Sequence, residues 1–288
     1  MSPSRSVAQE GGFVHGAAGS RFRLVTQPDA GPACGTVVFV HAFAEEMNKS
    51  RRMSARMARL LAARGWRVVQ RDLCGCGDSA GDFADASWPA WIADVEAELA
   101  QAASDSPVWL WCLRAGALLA PPVLAGRPHV NLLLWQPVAA GAQHLQQFLR
   151  LHAGARIVGS AKASGEMSPA QQLRAGQPVE VAGYEIHPAL AQGLEAASFE
   201  LPADFAGRVV WLEVSGDESP EPSPVALRHV ERLRARGLAV DLDALGGPPF
   251  WQTQEIEECE ALLQRSLALM SAPSRADAEP VLERQHHA

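Results

Sequence analysis

Lysine and long apolar runs are nearly absent from this sequence. Lys49 and Lys162 are the only lysines among 288 residues, and arginine carries the remaining basic charge. No apolar run reaches the roughly 18 residues that a membrane-spanning helix needs, and residues 1–11 contain no apolar segment of signal-peptide length. The sequence therefore predicts neither a membrane span nor secretion, and we expect a cytoplasmic protein.

A basic face is also missing, because the formal net charge is −7 at neutral pH. This charge argues against nucleic acid as the main partner, since nucleic-acid binding requires a positively charged surface. Hydrophobic residues make up 48% of the chain and charged residues 20%, a balance typical of a folded protein with a sizeable core. The length fits one large α/β domain with an insertion.

The five cysteines form no metal-binding pattern. Their number is odd, and in a reducing compartment they are most simply thiols. Cys74 and Cys76 are separated by one glycine, and they have neither a second pair nor a histidine beside them in the sequence. A structural zinc site needs four ligands, so we expect no metal and no cofactor.

Apolar runs typical of buried strands alternate with helical patterns along most of the chain. A β-hairpin is predicted at its start, with strands at residues 13–15 and 22–25. Further strands are predicted at residues 36–40, 66–71, 108–112, 130–135, 209–214 and 238–242. Helices are predicted at residues 50–64, 87–103, 115–120, 224–236 and 254–269, and Pro121 and Pro122 are expected to kink or end the third of them.

The alternation stops between residues 139 and 202, where only short helical patches remain, such as residues 145–151. We predict that residues 139–202 form a cap inserted into a core of residues 12–138 and 203–270, and that residues 271–288 form a flexible tail. Alternating strands and helices predict a mostly parallel sheet with helices on both faces. Ligands of such sheets bind at the carboxyl ends of the strands, so the loops after the strands form the candidate site.

Two of these loops carry motifs with a familiar order. Residues 41–43 follow the first predicted central strand and read His-Ala-Phe, and residues 72–79 follow the next strand and read Asp-Leu-Cys-Gly-Cys-Gly-Asp-Ser. Together with the order of the elements, both motifs resemble the α/β-hydrolase superfamily over roughly residues 12–270. The resemblance implies an α/β-hydrolase fold in which the first motif is the oxyanion loop.

Three longer phrases resemble a narrower group, the exosortase A system-associated hydrolases of the second type. They cover residues 41–52, 180–184 and 247–253, which read HAFAEEMNKSRR, EVAGY and GPPFWQT. That group is known from its genomic association with bacterial exosortase and exopolysaccharide loci. The resemblance implies a hydrolase or acyl-transfer protein that acts on an ester or thioester.

The catalytic pattern of the superfamily is incomplete in this chain. Its nucleophile elbow reads Gly-X-Ser-X-Gly, whereas residues 112–116 read Cys-Leu-Arg-Ala-Gly. Arg114 takes the place of the serine, and a guanidinium is always protonated and is not a nucleophile. The loop at residues 247–251, where the superfamily has its histidine, contains none, while Asp217 matches the acid. A Ser-His-Asp mechanism is therefore unavailable.

Two roles remain open for Arg114. The first is an anion clamp, because the elbow amides and the helix N-terminus already attract negative charge and the guanidinium adds donors. The second is an internal ion pair with Asp217, Glu45 or Glu46, because a buried arginine without an acid is strongly destabilising. In the second role the pair fills the former active site and binds nothing.

Three further side chains at this edge are candidates for chemistry. His41 is either a general base oriented by a glutamate or, as we favour, an anchor for its own loop through the backbone. Cys112 and Cys76 are alternative nucleophiles, although buried thiols are more often structural. We expect seven residues of these loops to line the pocket, namely Phe43, Glu45, Glu46, Cys76, Leu113, Phe250 and Trp251.

Two functions follow from these residues. The first is a hydrolase or acyl-transfer protein with a non-standard site of His41, Arg114 and Asp217, for which Cys112 or Cys76 is an outside candidate. The second is a pseudoenzyme whose pocket, led by Arg114, binds an acidic or acyl ligand, or whose surface serves an unknown partner in exopolysaccharide or protein-sorting machinery. The residues favour the second function, and the family resemblance supports the first.

Overall fold

An eight-stranded sheet forms the centre of the molecule, which the computed structural model describes over residues 6–16, 19–102, 105–157 and 167–271. The strands in chain order are β1 (Val7–Gly16), β2 (Gly19–Pro28), β3 (Gly35–Val40), β4 (Trp66–Arg71), β5 (Val108–Leu113), β6 (Asn131–Trp135), β7 (Val179–Val181), β8 (Tyr184–Ile186), β9 (Val209–Ser215) and β10 (Val240–Gly246). The large sheet has the order β1-β2-β4-β3-β5-β6-β9-β10, and β7 and β8 form a separate pair. Six of its strands, β4, β3, β5, β6, β9 and β10, are parallel to one another, whereas β1 and β2 form an antiparallel hairpin at one edge.

Helices cover both faces of this sheet. They are α1 (Glu45–Ala62), α2 (Trp88–Leu99), α3 (Ala120–Leu124), α4 (Gly141–Ile157), α5 (Pro169–Arg174), α6 (Pro188–Ala196), α7 (Pro224–Ala235) and α8 (Glu260–Ser271). Apolar residues of α1 and α8, such as Met57 and Leu263, pack on one face, and those of α2, α3 and α7, such as Val95 and Val230, pack on the other. Each such side chain contributes about 1.5–3 kcal/mol when fully buried. The predicted mostly parallel sheet with helices on both faces is confirmed.

The helix boundaries differ from the predicted ones where local chemistry acts against the apolar pattern. The helix α2 begins at Trp88, one residue after its predicted start, and the Ser87 hydroxyl accepts a hydrogen bond from the Ala90 N–H. The helix α1 begins at Glu45, five residues before the predicted start, because acidic residues favour the first turn of a helix. The helix α8 begins at Glu260, six residues after its predicted start.

The prediction for Pro121 and Pro122 is wrong. A 3₁₀ turn over Arg114–Leu119 occupies most of the predicted helix, and both prolines lie in the first turn of the following helix, α3. A proline has no N–H to donate, and the first N–H groups of a helix have no partner within the helix. The two prolines therefore start a helix here instead of ending one.

The segment between β6 and β9 contains α4, α5, the β7–β8 pair and α6. The helix α6 packs closely on α2 at Gly193, where an added Cβ atom would lie 2.1 Å from the Cβ atom of Trp88. Within the described ranges, no helix combines the length and the apolar character that crossing a bilayer requires. The predicted tail lies outside the described residues except for Ser271.

Candidate functional site

The strand β5 ends in a sharp turn at Arg114. The backbone of Arg114 is left-handed, with a φ angle of 54°, which is strained for a residue with a side chain. Two residues later, Gly116 approaches the end of β3 so closely that an added Cβ atom would lie 2.7 Å from the His41 carbonyl oxygen. This is the geometry of a nucleophile elbow, which presents its apical side chain at the carboxyl edge of the sheet. The side chain presented here is that of Arg114.

Arg114 forms an ion pair with Glu46 from the first turn of α1. Its Nε atom lies 3.2 and 3.3 Å from the two carboxylate oxygens, and its Nη2 atom lies 3.1 Å from Oε1. The two side chains are only 13% and 9% exposed. Burial raises the pKa of the Glu46 carboxyl, and the Arg114 guanidinium opposes that rise. Of the three acids considered for Arg114, the structure thus pairs it with Glu46.

Trp251 lies over the guanidinium of Arg114. The centre of that guanidinium is 5.3 Å from the centroid of the indole ring, a cation–π contact. Trp251 is buried and belongs to the loop between β10 and α8. The elbow after β5 and the loop before α8 are therefore in contact through these two side chains.

A cavity of about 450 Å³ opens in front of this pair. Its walls come from the loop after β3, from α1, from α4 and from the loop before α8. The lining residues are Phe43, Glu45, Glu46, Lys49, Arg114, His144, Gln147, Phe148, Leu151, Trp251 and Gln252. Four of the seven side chains expected in the pocket therefore line it: Phe43, Glu45, Glu46 and Trp251.

The other three expected side chains lie elsewhere. Leu113 and Phe250 are at most 1% exposed and pack in the apolar cluster between the sheet, α1 and α8. Leu113 precedes the elbow apex, so its side chain points away from that of Arg114. Cys76 lines a separate cavity of about 220 Å³ beside Tyr184. The expectation that these three residues line the pocket of Arg114 is therefore not met.

The helix α4 adds His144, Gln147, Phe148 and Leu151 to the cavity, and sequence reasoning missed all four. His144 is 6% exposed. Burial and the nearby Arg114 cation lower its pKa to about 3, so the ring is neutral at physiological pH. The apolar pattern of residues 145–151 indicated a helix, but no signal in the sequence showed which face of that helix meets the elbow.

Three buried polar atoms without a hydrogen-bond partner belong to side chains that line the cavity. They are Oε2 of Glu45, Nδ1 of His144 and Nε1 of Trp251. An unpaired buried polar atom costs about 1–3 kcal/mol, and such atoms are rare in folded proteins. All three belong to side chains that line the same cavity.

His41 anchors its own loop. Its Nδ1 atom lies 2.8 Å from the Ala42 carbonyl oxygen, and its Nε2 atom accepts a hydrogen bond from the Leu73 N–H at 3.3 Å. Burial lowers the pKa of the ring, which is therefore neutral with both nitrogens engaged. His41 does not line the cavity of Arg114, and its contacts match the anchoring role that the sequence favoured.

Cys112 and Asp217 also lie away from the cavity. Cys112 is fully buried, and burial raises the pKa of its thiol, as it does for Cys76. A protonated thiol is a poor nucleophile. Asp217 is exposed in the loop after β9, and its carboxylate accepts a hydrogen bond of 2.5 Å from the Ser215 hydroxyl. In the described part of the chain, no group of three or more potential metal ligands comes together.

Comparison with known proteins places the fold. No protein-family profile and no curated protein sequence matches the chain. A soluble variant of monoglyceride lipase from Saccharomyces cerevisiae matches in structure with a TM-score of 0.60 and 11% identity, covering 93% of this chain and 95% of the lipase. Est1E from Butyrivibrio proteoclasticus gives 0.58 and 13%, covering 90% and 97%. The thioesterase domain from the curacin biosynthetic pathway gives 0.50 and 17%, covering 92% and 100%. The chain thus has the α/β-hydrolase fold.

Proposed function

We propose that this protein binds a small molecule at the elbow of an α/β-hydrolase fold and does not use a nucleophile there. One observation carries the proposal. Among the described residues, the cavity lining contains no serine, threonine or cysteine, and the apical side chain is an arginine paired with Glu46. The hydroxyl or thiol on which acyl transfer depends is therefore missing from the described wall of the cavity.

The phrases that resemble the exosortase-associated group support a shared site. Residues 41–52 and 247–253 supply six of the cavity-lining side chains described above, namely Phe43, Glu45, Glu46, Lys49, Trp251 and Gln252, and Arg114 follows β5 beside them. The third phrase joins them, because the Asn48 amide donates a hydrogen bond to the Tyr184 hydroxyl. This clustering favours a role for the bound molecule in an exosortase or exopolysaccharide system.

Hydrolysis of an ester or thioester is the second candidate. It is favoured by the strained elbow at Arg114 and by the lipase and thioesterase named among the structural neighbours. Hydrolysis requires a general base, and His144 is a poor one. Its pKa is about 3, so the ring accepts a proton poorly at neutral pH. A buried thiol such as that of Cys112 is equally unsuited.

A turnover experiment separates the two candidates. The protein is incubated with aryl esters and acyl thioesters of several chain lengths, and its intact mass is recorded after each incubation. We expect no steady turnover and no covalent adduct. Turnover that is lost in a Cys112→Ala or His144→Gln variant, but kept in the surface variant His129→Gln, would establish an enzyme and reject the binding proposal.

A further inference from the structure

The three unpaired atoms, which belong to side chains that line the cavity, differ in whether they donate or accept a hydrogen bond. The Glu45 carboxylate only accepts hydrogen bonds, so a ligand must donate to it. The Trp251 indole N–H only donates, so the same ligand must also accept. The neutral His144 ring offers its Nδ1 atom in either role. Hydroxyl groups meet all three demands, because each one both donates and accepts.

The charge of the cavity is already balanced. Its charged side chains are the carboxylates Glu45 and Glu46 and the cations Lys49 and Arg114. The Arg114 guanidinium gives three hydrogen bonds to Glu46, so its charge is neutralised before any ligand arrives. A ligand carboxylate would have to compete with Glu46 and would lie near the unpaired Glu45 oxygen, and like charges repel strongly at a buried site.

The remaining wall supplies ring faces and amides. Phe43 and Phe148 pack edge to face with centroids 5.0 Å apart, and the Trp251 ring faces the cavity beside them. Gln147 and Gln252 contribute amide groups that donate and accept. Aromatic faces suit the C–H surface of a ligand whose hydroxyl groups point the other way.

We infer that the cavity takes a neutral, polyhydroxylated ligand of about monosaccharide size, and not the carboxylate that an arginine at the elbow first indicates. This inference rests on the proposed binding function. Glu45 and Trp251 then set specificity, as acceptor and donor for ligand hydroxyls. Arg114 and Glu46 line the cavity as an ion pair without net charge, and the pair does not require a charged group on the ligand.

Matched ligand pairs test the inference. Glucose, galactose and mannose are each compared with the uronate that carries a carboxylate at C6, and binding to the full chain is followed by saturation-transfer NMR and by titration calorimetry. We expect at least one neutral sugar to bind and its uronate to bind at least about tenfold more weakly, which corresponds to 1.4 kcal/mol. A uronate that binds as well as its sugar, or a folded protein that binds no neutral sugar at millimolar concentration, would overturn the inference.

Two variants locate the binding. Trp251→Phe keeps a ring but removes the N–H donor, and we expect it to weaken binding of the neutral ligand by about two- to tenfold. Trp111→Phe is its matched control, because the Trp111 N–H is also buried and unpaired but lies in the core, against Phe39 and Trp135. Glu45→Gln should weaken binding similarly, with Glu257→Gln as the exposed control.

The outcomes also separate this inference from the proposed function. Preferential binding of uronates, lost in Arg114→Gln, rejects the neutral ligand and leaves a binding protein. Ester turnover with a covalent adduct rejects the binding function itself. Equal losses in Trp251→Phe and Trp111→Phe place the ligand outside the cavity and reject the inference.

Discussion

The guanidinium of Arg114 and the carboxylate of Glu46 join two segments at the carboxyl edge of the sheet, namely the elbow after β5 and the first turn of α1. Three hydrogen bonds of 3.1 to 3.3 Å connect them. Neither group is more than 13% exposed. Removing one member therefore leaves the other in a poorly hydrated place.

Replacing Arg114 by alanine should lower the free energy of unfolding by about 3 kcal/mol, because Glu46 loses its cation. The loss should be larger at pH 8 than at pH 5, since burial raises the pKa of Glu46 and the carboxyl without its partner is more easily buried when protonated. Urea unfolding at both pH values measures this. The double variant Arg114→Met with Glu46→Met should recover most of the loss, and additive losses would contradict the pairing.

Replacing Arg114 by serine introduces a hydroxyl at the elbow but should not produce esterase activity. Among the described residues that line the cavity, the one histidine is His144, and its pKa of about 3 makes it a poor base for the new hydroxyl. We expect no turnover of an aryl ester above that of Arg114→Ala, measured side by side. A serine adduct with an organophosphonate probe in Arg114→Ser would show that an unrecognised base activates the site.

The protein should lose stability as the pH falls from about 6.5 to about 3, in part through His144. Its pKa is 6.5 in the unfolded chain and about 3 in the fold, so the unfolded state binds the extra proton throughout this window and is favoured by it. The contribution is at most about 5 kcal/mol. His144→Gln should flatten the decline of the unfolding free energy, whereas the exposed control His129→Gln should not. Equal pH profiles in both variants would argue against a neutral, buried His144.

Alkylation should separate the cysteines by burial. Cys34 is exposed, whereas Cys74, Cys76, Cys112 and Cys259 are buried. Iodoacetamide should add one group rapidly to the native protein, and Cys34→Ser should abolish that addition. Rapid modification of Cys112, read by peptide mass after digestion, would contradict its protonated and inaccessible state and would revive it as a nucleophile.

Gly116→Ala should destabilise the elbow by a few kcal/mol, because an added Cβ atom meets the carbonyl oxygens of Val40 and His41 at 2.8 and 2.7 Å. Gly12→Ala is the control, since nothing lies within 4 Å of a Cβ atom added there. Thermal unfolding of both variants provides the comparison. An unaffected Gly116→Ala would mean that the end of β3 and the elbow can separate without cost.

The central parallel strands were predicted better than helix ends because burial on both faces leaves a continuous apolar run, whereas the hairpin strands, predicted at residues 13–15 and 22–25, are longer in the structure and β7 and β8 were not predicted. The strand predicted at residues 66–71 has those bounds in the structure, and the one predicted at residues 36–40 differs by one residue. Helix starts depend on local effects that an apolar pattern does not contain. The acidic residues of α1 and the paired prolines of α3 both moved a boundary.

The candidate site was only half predictable for a different reason. Motifs placed Arg114, Glu46 and Trp251 on loops at one edge of the sheet, and those loops do meet. Which acid pairs with Arg114 depends on side-chain directions that spacing does not report. His144 comes from a segment without a motif, and its place in the cavity follows from how α4 lies across the elbow.

The helix α4 also has a mechanical consequence. It belongs to the segment between β6 and β9, whereas Glu45 begins α1 and Trp251 lies in the loop between β10 and α8. A molecule that contacts both His144 and one of these residues connects α4 to the edge of the sheet. Binding of the proposed ligand would therefore restrict the movement of α4 relative to the sheet.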